Sequence, residues 1–131
     1  MQSDANFLGA DGDAKERLGR PFEKVVEAAV VDGNRDGCFM CNSSLDQAQL
    51  DPLTREVIGK MMQGVHEGFI AALSASAPYA EDEEEREIKA AELLATYFGM
   101  RVLVRADASE KVLRNVVRSA LGSIRSEEED P

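Results

Sequence analysis

Apolar residues along this chain recur at intervals of three and four, the mark of helices that bury one side. From Asp13 to Val31 the stripe is Leu18, Phe22, Val25, Val26, Ala29 and Val30. Pro21 sits inside it, and a proline lacks the N–H that donates one turn back, so a kink or a restart near Arg20 is expected. Asp32-Gly33-Asn34 ends the segment. A shorter helix is predicted over 38–50, with Cys38, Cys41, Asn42, Leu45 and Ala48 roughly on one side. Asp51 is placed to cap a third helix, with Pro52 at its first helical position. That helix is expected to reach Ala75 along Leu53, Val57, Ile58, Met61, Met62, Val65, Phe69, Ala72 and Leu73. Gly59, Gly64 and Gly68 each weaken it slightly and permit close approach by a neighbour.

Ser76-Ala77-Pro78-Tyr79 reads as a break. Acidic residues 81–85 follow, a solvated first turn favoured by the helix dipole. The fourth helix is predicted to run to about Arg105, with Ile88, Ala91, Leu94, Ala95, Phe98 and Val102 facing one way and Tyr97 and Arg101 on a flank. Ser109 caps a fifth, whose apolar residues are Val112, Leu113, Val116, Val117, Ala120, Leu121 and Ile124. No useful alternating pattern and no internal repeat interrupts this series. The expected architecture is all-α with about five helices: a polar segment 1–12, one domain over 13–126 and an acidic tail 127–131.

A chain of 131 residues, 44% hydrophobic and 31% charged, suits one globular domain. No apolar run approaches the roughly 20 residues of a membrane span, and the N-terminus lacks the basic and apolar stretches of a signal peptide. A cytoplasmic location without membrane contact is expected. The net charge of −10 opposes binding to a polyanion, so any nucleic-acid contact must come from elsewhere.

Cys38 and Cys41 form a Cys-x-x-Cys pair. At a helix start such thiols can be reactive, because the helix N-terminus lowers their pKa. The commoner role of buried cysteines is as small apolar residues. A closed zinc site needs four ligands, and no second Cys-x-x-Cys is present. The single histidine, His66, has no His-Glu-x-x-His context, and there is no Gly-rich phosphate loop and no Gly-x-Ser-x-Gly. No catalytic residue, metal or cofactor is assigned, and a non-enzymatic role is expected.

Gly37-Cys38-Phe39-Met40-Cys41-Asn42 resembles the Gly-Cys-apolar-apolar-x-Asn segment of many TetR-family transcription regulators. An Asp51-Pro52 helix start follows at the family's usual distance, and Tyr97-Phe98-Gly99-Met100-Arg101-Val102-Leu103-Val104-Arg105 is similar to its Gly-x-Arg-Val-Leu stretch. The similarity covers about residues 14–125 and corresponds to the family's C-terminal ligand-binding and dimerisation domain. The helix-turn-helix and the Tyr-x-x-Phe signature that precede this domain in the family are not among these residues. The favoured expectation is a piece of a longer repressor, whose operator DNA is read by that other part; the alternative is a natural chain that has lost its DNA-reading part.

The resemblance implies a homodimer in which the last two helices of each copy form a four-helix bundle. It also implies a cavity for a small apolar or amphipathic effector among the earlier helices. The residues agree with a shared face, since the last helix is apolar on two adjoining sides where a lone surface helix needs one. Ala91, Ala95, Val102, Leu103, Val112, Val116, Val117, Ala120, Leu121 and Ile124 are the interface candidates. Phe22, Phe39, Met61, Met62, Phe69, Leu94 and Phe98, with Met40, are candidates for a cavity wall, and Asn42, His66, Tyr97 and Arg101 for its polar groups. Each Met and Phe is equally at home in an ordinary core, His66 on a helix surface, and Arg101 in an ion pair with a carboxylate such as Glu67. The alternative function is a stand-alone helical interaction protein that binds no ligand.

Overall fold

The computed structural model describes residues 14–33 and 52–125. Among the described residues the chain forms four α-helices and one 3-10 turn, with no strand. The helices are α1 (Ala14–Val30), α2 (Pro52–Ser74), α3 (Glu83–Arg105) and α4 (Glu110–Gly122); the turn is Tyr79–Glu81. The helix predicted over 38–50, the Asp51 cap, and Cys38, Phe39, Met40, Cys41 and Asn42 lie outside the described residues.

α1 runs unbroken through Pro21, so the expected restart near Arg20 does not occur. Pro21 is fully buried between Leu18, Phe22 and Val25, which are buried too. Burial on this scale outweighs the roughly 3 kcal/mol that an interior proline costs a helix. α1 packs against α2, α3 and α4, so it forms the centre of one shared core. Its approach to α4 is close at Gly19, where an added Cβ would stand 3.1 Å from the Leu121 side chain.

α2 starts at Pro52 as predicted and ends at Ser74, one residue early. Its nine-residue stripe divides along its length. Ile58, Phe69, Ala72 and Leu73 are buried, Met62 and Val65 are half-buried, and Leu53, Val57 and Met61 are exposed.

The supposed break at 76–79 supplies a core residue. Tyr79 is buried, and its hydroxyl accepts the Arg125 backbone N–H at 2.9 Å. Its carbonyl accepts from the Arg86 guanidinium at 3.0 Å, and Arg125 lies 5.8 Å from the ring centroid. The aromatic body thus fills the core while the polar tip ties down the end of α4. The preceding Ala77-Pro78 peptide is cis.

Asp82 caps α3 by accepting the Glu85 N–H at 3.0 Å, with Glu83, Glu84 and Glu85 in the first turn. α3 ends in a tight turn. The Ala108 N–H donates to Leu103 at 3.0 Å, the Asp107 N–H donates to Val104 at 3.0 Å, and Asp107 adopts φ 65°. This is a Schellman ending with an aspartate where glycine is usual. Ser109 then caps α4 as predicted, accepting the Val112 N–H at 3.2 Å. So short a connection makes α3 and α4 antiparallel neighbours. The α3–α4 pair is tied again at its far end, where the buried Lys89 donates to Ser123 Oγ and to Glu92, each at 3.1 Å.

The left-handed backbone at Asp107 makes a specific demand on side chains. Asp107→Val should lower stability by about 1–2 kcal/mol, since a β-branched residue is poorly tolerated at positive φ. Asp107→Gly should stay within about 0.5 kcal/mol of the parent. Urea unfolding followed by circular dichroism measures both, and equal stability of the two variants would contradict the turn geometry.

Candidate functional site

Two regions collect the residues singled out by the sequence: an aromatic cluster inside the helices and an apolar face on the outside of α3 and α4. The cluster takes one ring each from α1 and α2 and two from α3. Phe22 and Phe69 stack with centroids 6.0 Å apart. Tyr97 meets Phe22 edge-on at 5.9 Å and Phe69 at 6.5 Å. Phe98 packs edge-on to Tyr97 at 5.2 Å. Phe22 and Phe69 are fully buried, Tyr97 is buried, and Phe98 is half-buried. Arg101, one turn beyond Tyr97, is half-buried with its guanidinium 5.8 Å from the tyrosine centroid. Such a cation over a ring face contributes about 0.5–1 kcal/mol where solvent still reaches it.

This arrangement corrects the predicted orientation of α3. The expected stripe of Ile88, Ala91, Leu94, Ala95, Phe98 and Val102 is not the core side. The buried side is Ala90, Leu93, Tyr97, Met100 and Val104, reaching Lys89 at its edge. Tyr97, expected on a flank, is at the centre of that side. α3 is apolar on both sides, so periodicity alone cannot choose between them. The aromatic partners on α1 and α2 make the choice.

The cavity candidates separate accordingly. Phe22, Phe69, Tyr97, Phe98 and Arg101 come together. Met62, His66 and Leu94 are half-buried on α2 and α3, Met61 is exposed, and Phe39 and Asn42 lie outside the described residues. Arg101 rests on Tyr97 rather than on Glu67, whose carboxylate accepts from Gln63 at 3.1 Å. Leu93, Met100 and Tyr79 are core residues that the sequence reading missed. Leu93 stands four residues before Tyr97 and Met100 three after it, the spacing of one helix face, a signal visible once Tyr97 is known to face inward.

The interface candidates divide as well. Val117, Ala120 and Ile124 are buried in the chain's own core, and Leu121 is half-buried against Gly19. They are covered by α1, so they are not available to a second copy as the sequence reading had expected. Ala91, Ala95, Val102 and Val112 are exposed; Leu103 and Val116 are half-buried. Ile88 is 57%, Val102 40% and Val112 45% exposed, with Gly99 open beside them. On α4 the neighbours are Asn115 and Ser119, both exposed and uncharged, and on α3 the exposed Glu92 beside Ala91 is ion-paired with Lys89 at 3.1 Å. In a chain that is 31% charged, a charge-poor apolar face spanning two adjacent helices is a candidate protein interface. No described helix is long and apolar enough to cross a membrane.

Comparison with protein-family models, curated proteins and solved structures returned no match for this chain.

The cluster and the outer positions differ in energetic weight. Phe69→Ala removes a ring that touches both Phe22 and Tyr97, and the expected loss is about 3–5 kcal/mol. Met61→Ala, at an exposed position, should change stability by less than about 0.5 kcal/mol. Denaturant unfolding of the two variants checks the orientation of α2 and α3 directly.

Proposed function

We propose that this chain is the effector-binding and dimerisation domain of a TetR-like transcription regulator. The observation that carries the reading is the outer face of the last two helices, where apolar side chains remain in water after the protomer has closed its own core. A homodimer covers that face, and α3 and α4 of both copies then form a four-helix bundle. The motifs around Gly37–Asn42 and Tyr97–Arg105, and the order of the helices, support the same family.

The effector is a small apolar or amphipathic molecule held among α1, α2 and α3 beside the aromatic cluster. Aromatic and methionine side chains supply the apolar contact, and Arg101 and His66 are the polar groups whose chemistry complements an acidic headgroup. Regulation follows from differential affinity. An effector that binds one arrangement of the dimer more tightly shifts the population toward it, and operator affinity changes by the same coupling. With a net charge of −10 this domain repels DNA, so the operator is contacted by a helix-turn-helix outside these residues.

Sedimentation equilibrium tests the reading first. The expected particle has twice the 14.3 kDa chain mass at micromolar concentration, and Ile88→Glu with Val102→Glu should return it to one chain without loss of helicity. A parent that stays at 14.3 kDa throughout overturns the proposal. Thermal shift tests the effector: a medium-chain fatty carboxylate at 100 times its Kd should stabilise the fold by about 2.7 kcal/mol. In Arg101→Ala the preference for the carboxylate over the matching alcohol should disappear; an unchanged preference removes Arg101 from the site.

A further inference from the structure

The exposed side of α3 carries Ile88, Ala91, Ala95, Gly99 and Val102, at intervals of three, four, four and three. A simple heptad would alternate three and four. Here the order reads the same from either end, with Ala95 in the middle. The sizes follow the same order, with branched side chains at the two ends and small residues at the centre. Small residues allow two helix axes to approach closely, and larger ones fill the gap as the axes diverge.

We infer that this face is occupied by α3 of a second copy lying antiparallel, with the molecular two-fold axis passing at Ala95. The inference rests on the dimer proposed above and specifies its geometry. In this arrangement Ile88 meets Val102 of the second copy, Ala91 meets Gly99, and Ala95 meets itself. A two-fold axis perpendicular to the helices imposes this matching, since position 95 + n must face position 95 − n. A sequence that is symmetric about one residue satisfies that requirement; a parallel pairing has no use for it.

Charge selects the same orientation. The first turns of α3 hold Glu83, Glu84, Glu85 and Glu87, with Arg86 engaged by the Tyr79 carbonyl at 3.0 Å, and its last turns hold Arg101 and Arg105. Reflection about Ala95 carries Arg105 to position 85. Glu84 and Glu87 are within two residues of that point, about 3 Å along the axis. Glu84, Glu87 and Arg105 are exposed, whereas Glu85 already faces Arg125 at 3.4 Å. Antiparallel docking therefore sets the second copy's guanidinium beside two carboxylates. Parallel docking would align the acidic turns with each other, which a chain of net charge −10 tolerates poorly. The helix dipoles also oppose favourably in the antiparallel pair.

The test uses the full chain with Cys38→Ser and Cys41→Ser, so that each introduced thiol is the only one. Sedimentation first establishes the dimer, and circular dichroism establishes that each variant is folded. Ala95→Cys should then link to itself in nearly full yield with a short bismaleimide. Ile88→Cys and Val102→Cys should each link poorly alone and efficiently when mixed. Arg105→Glu should weaken the dimer about tenfold, and Glu84→Arg with Glu87→Arg on the same chain should restore it.

Self-linking of Ile88→Cys and of Val102→Cys, with no gain on mixing, would show a parallel pair and overturn the inference while leaving the dimer intact. A folded dimer in which Ala95→Cys does not link to itself but links to Ser119→Cys would place α4 of the second copy on this face, with the same consequence. A monomer at the first step would instead remove the functional proposal.

Discussion

The contact among Phe22, Phe69 and Tyr97 is the constraint on which the rest of the structure depends. It joins three helices that are distant in the chain, and no one of them has a strong reason to hold its shape alone. Each buried ring contributes about 1.5–3 kcal/mol by leaving water. The edge-to-face geometry does something further. It fixes the rotation of each helix about its own axis, because a shift of one residue on α3 turns it by about 100° and takes Tyr97 out of the cluster.

Once Tyr97 faces inward, the opposite side of α3 must face outward. Ile88, Ala91, Ala95, Gly99 and Val102 are placed in water by the aromatic packing on the far side of the same helix. The turn at Asp107 and the cap at Ser109 then set α4 beside it. Lys89 fastens the other end through Ser123. Val112 and Val116 extend the outer face onto α4, while Leu113, Val117, Ala120 and Ile124 close the core under α1. The two faces are products of one choice of rotation, so a change that turned α3 about its axis would alter the core and the proposed interface together.

That linkage bears on regulation. A ligand lodged beside Tyr97 would press on the helix whose other side would meet the second copy in the proposed dimer. Packed interiors do not deform continuously, so a small change there favours a different packed arrangement rather than a gradual shift. Two chains of charge −10 also repel on average, which restricts an interface to places where charge is absent or opposed. The outer side of α3 satisfies that restriction in its sequence.

Much of this was legible without coordinates. Intervals of three and four located all four described helices, and Pro52, Ser109 and the acidic first turn of α3 marked where they begin. These are local effects, set by neighbours in the chain. The aromatic and cationic residues of the cluster were also recognisable as a set, since bulky rings on successive helices have few places to go. The role of Tyr79 was hidden because a proline-containing break ordinarily marks a surface loop. The interface residues were named as a group, and the structure separated Val117, Ala120 and Ile124 from Ala91, Ala95, Val102 and Val112.

By itself, then, the sequence determined which segments are helical, where they start and stop, and that the last two carry more apolar surface than one face needs. Tertiary structure decided which of the two apolar sides of α3 is core, that α1 continues through Pro21, and which part of α4 stays in water. The reason is physical: helix formation depends on residues within a turn or two. Rotation of a helix that is apolar on both sides depends on complementary shapes supplied by other helices, and no periodicity within the helix records them.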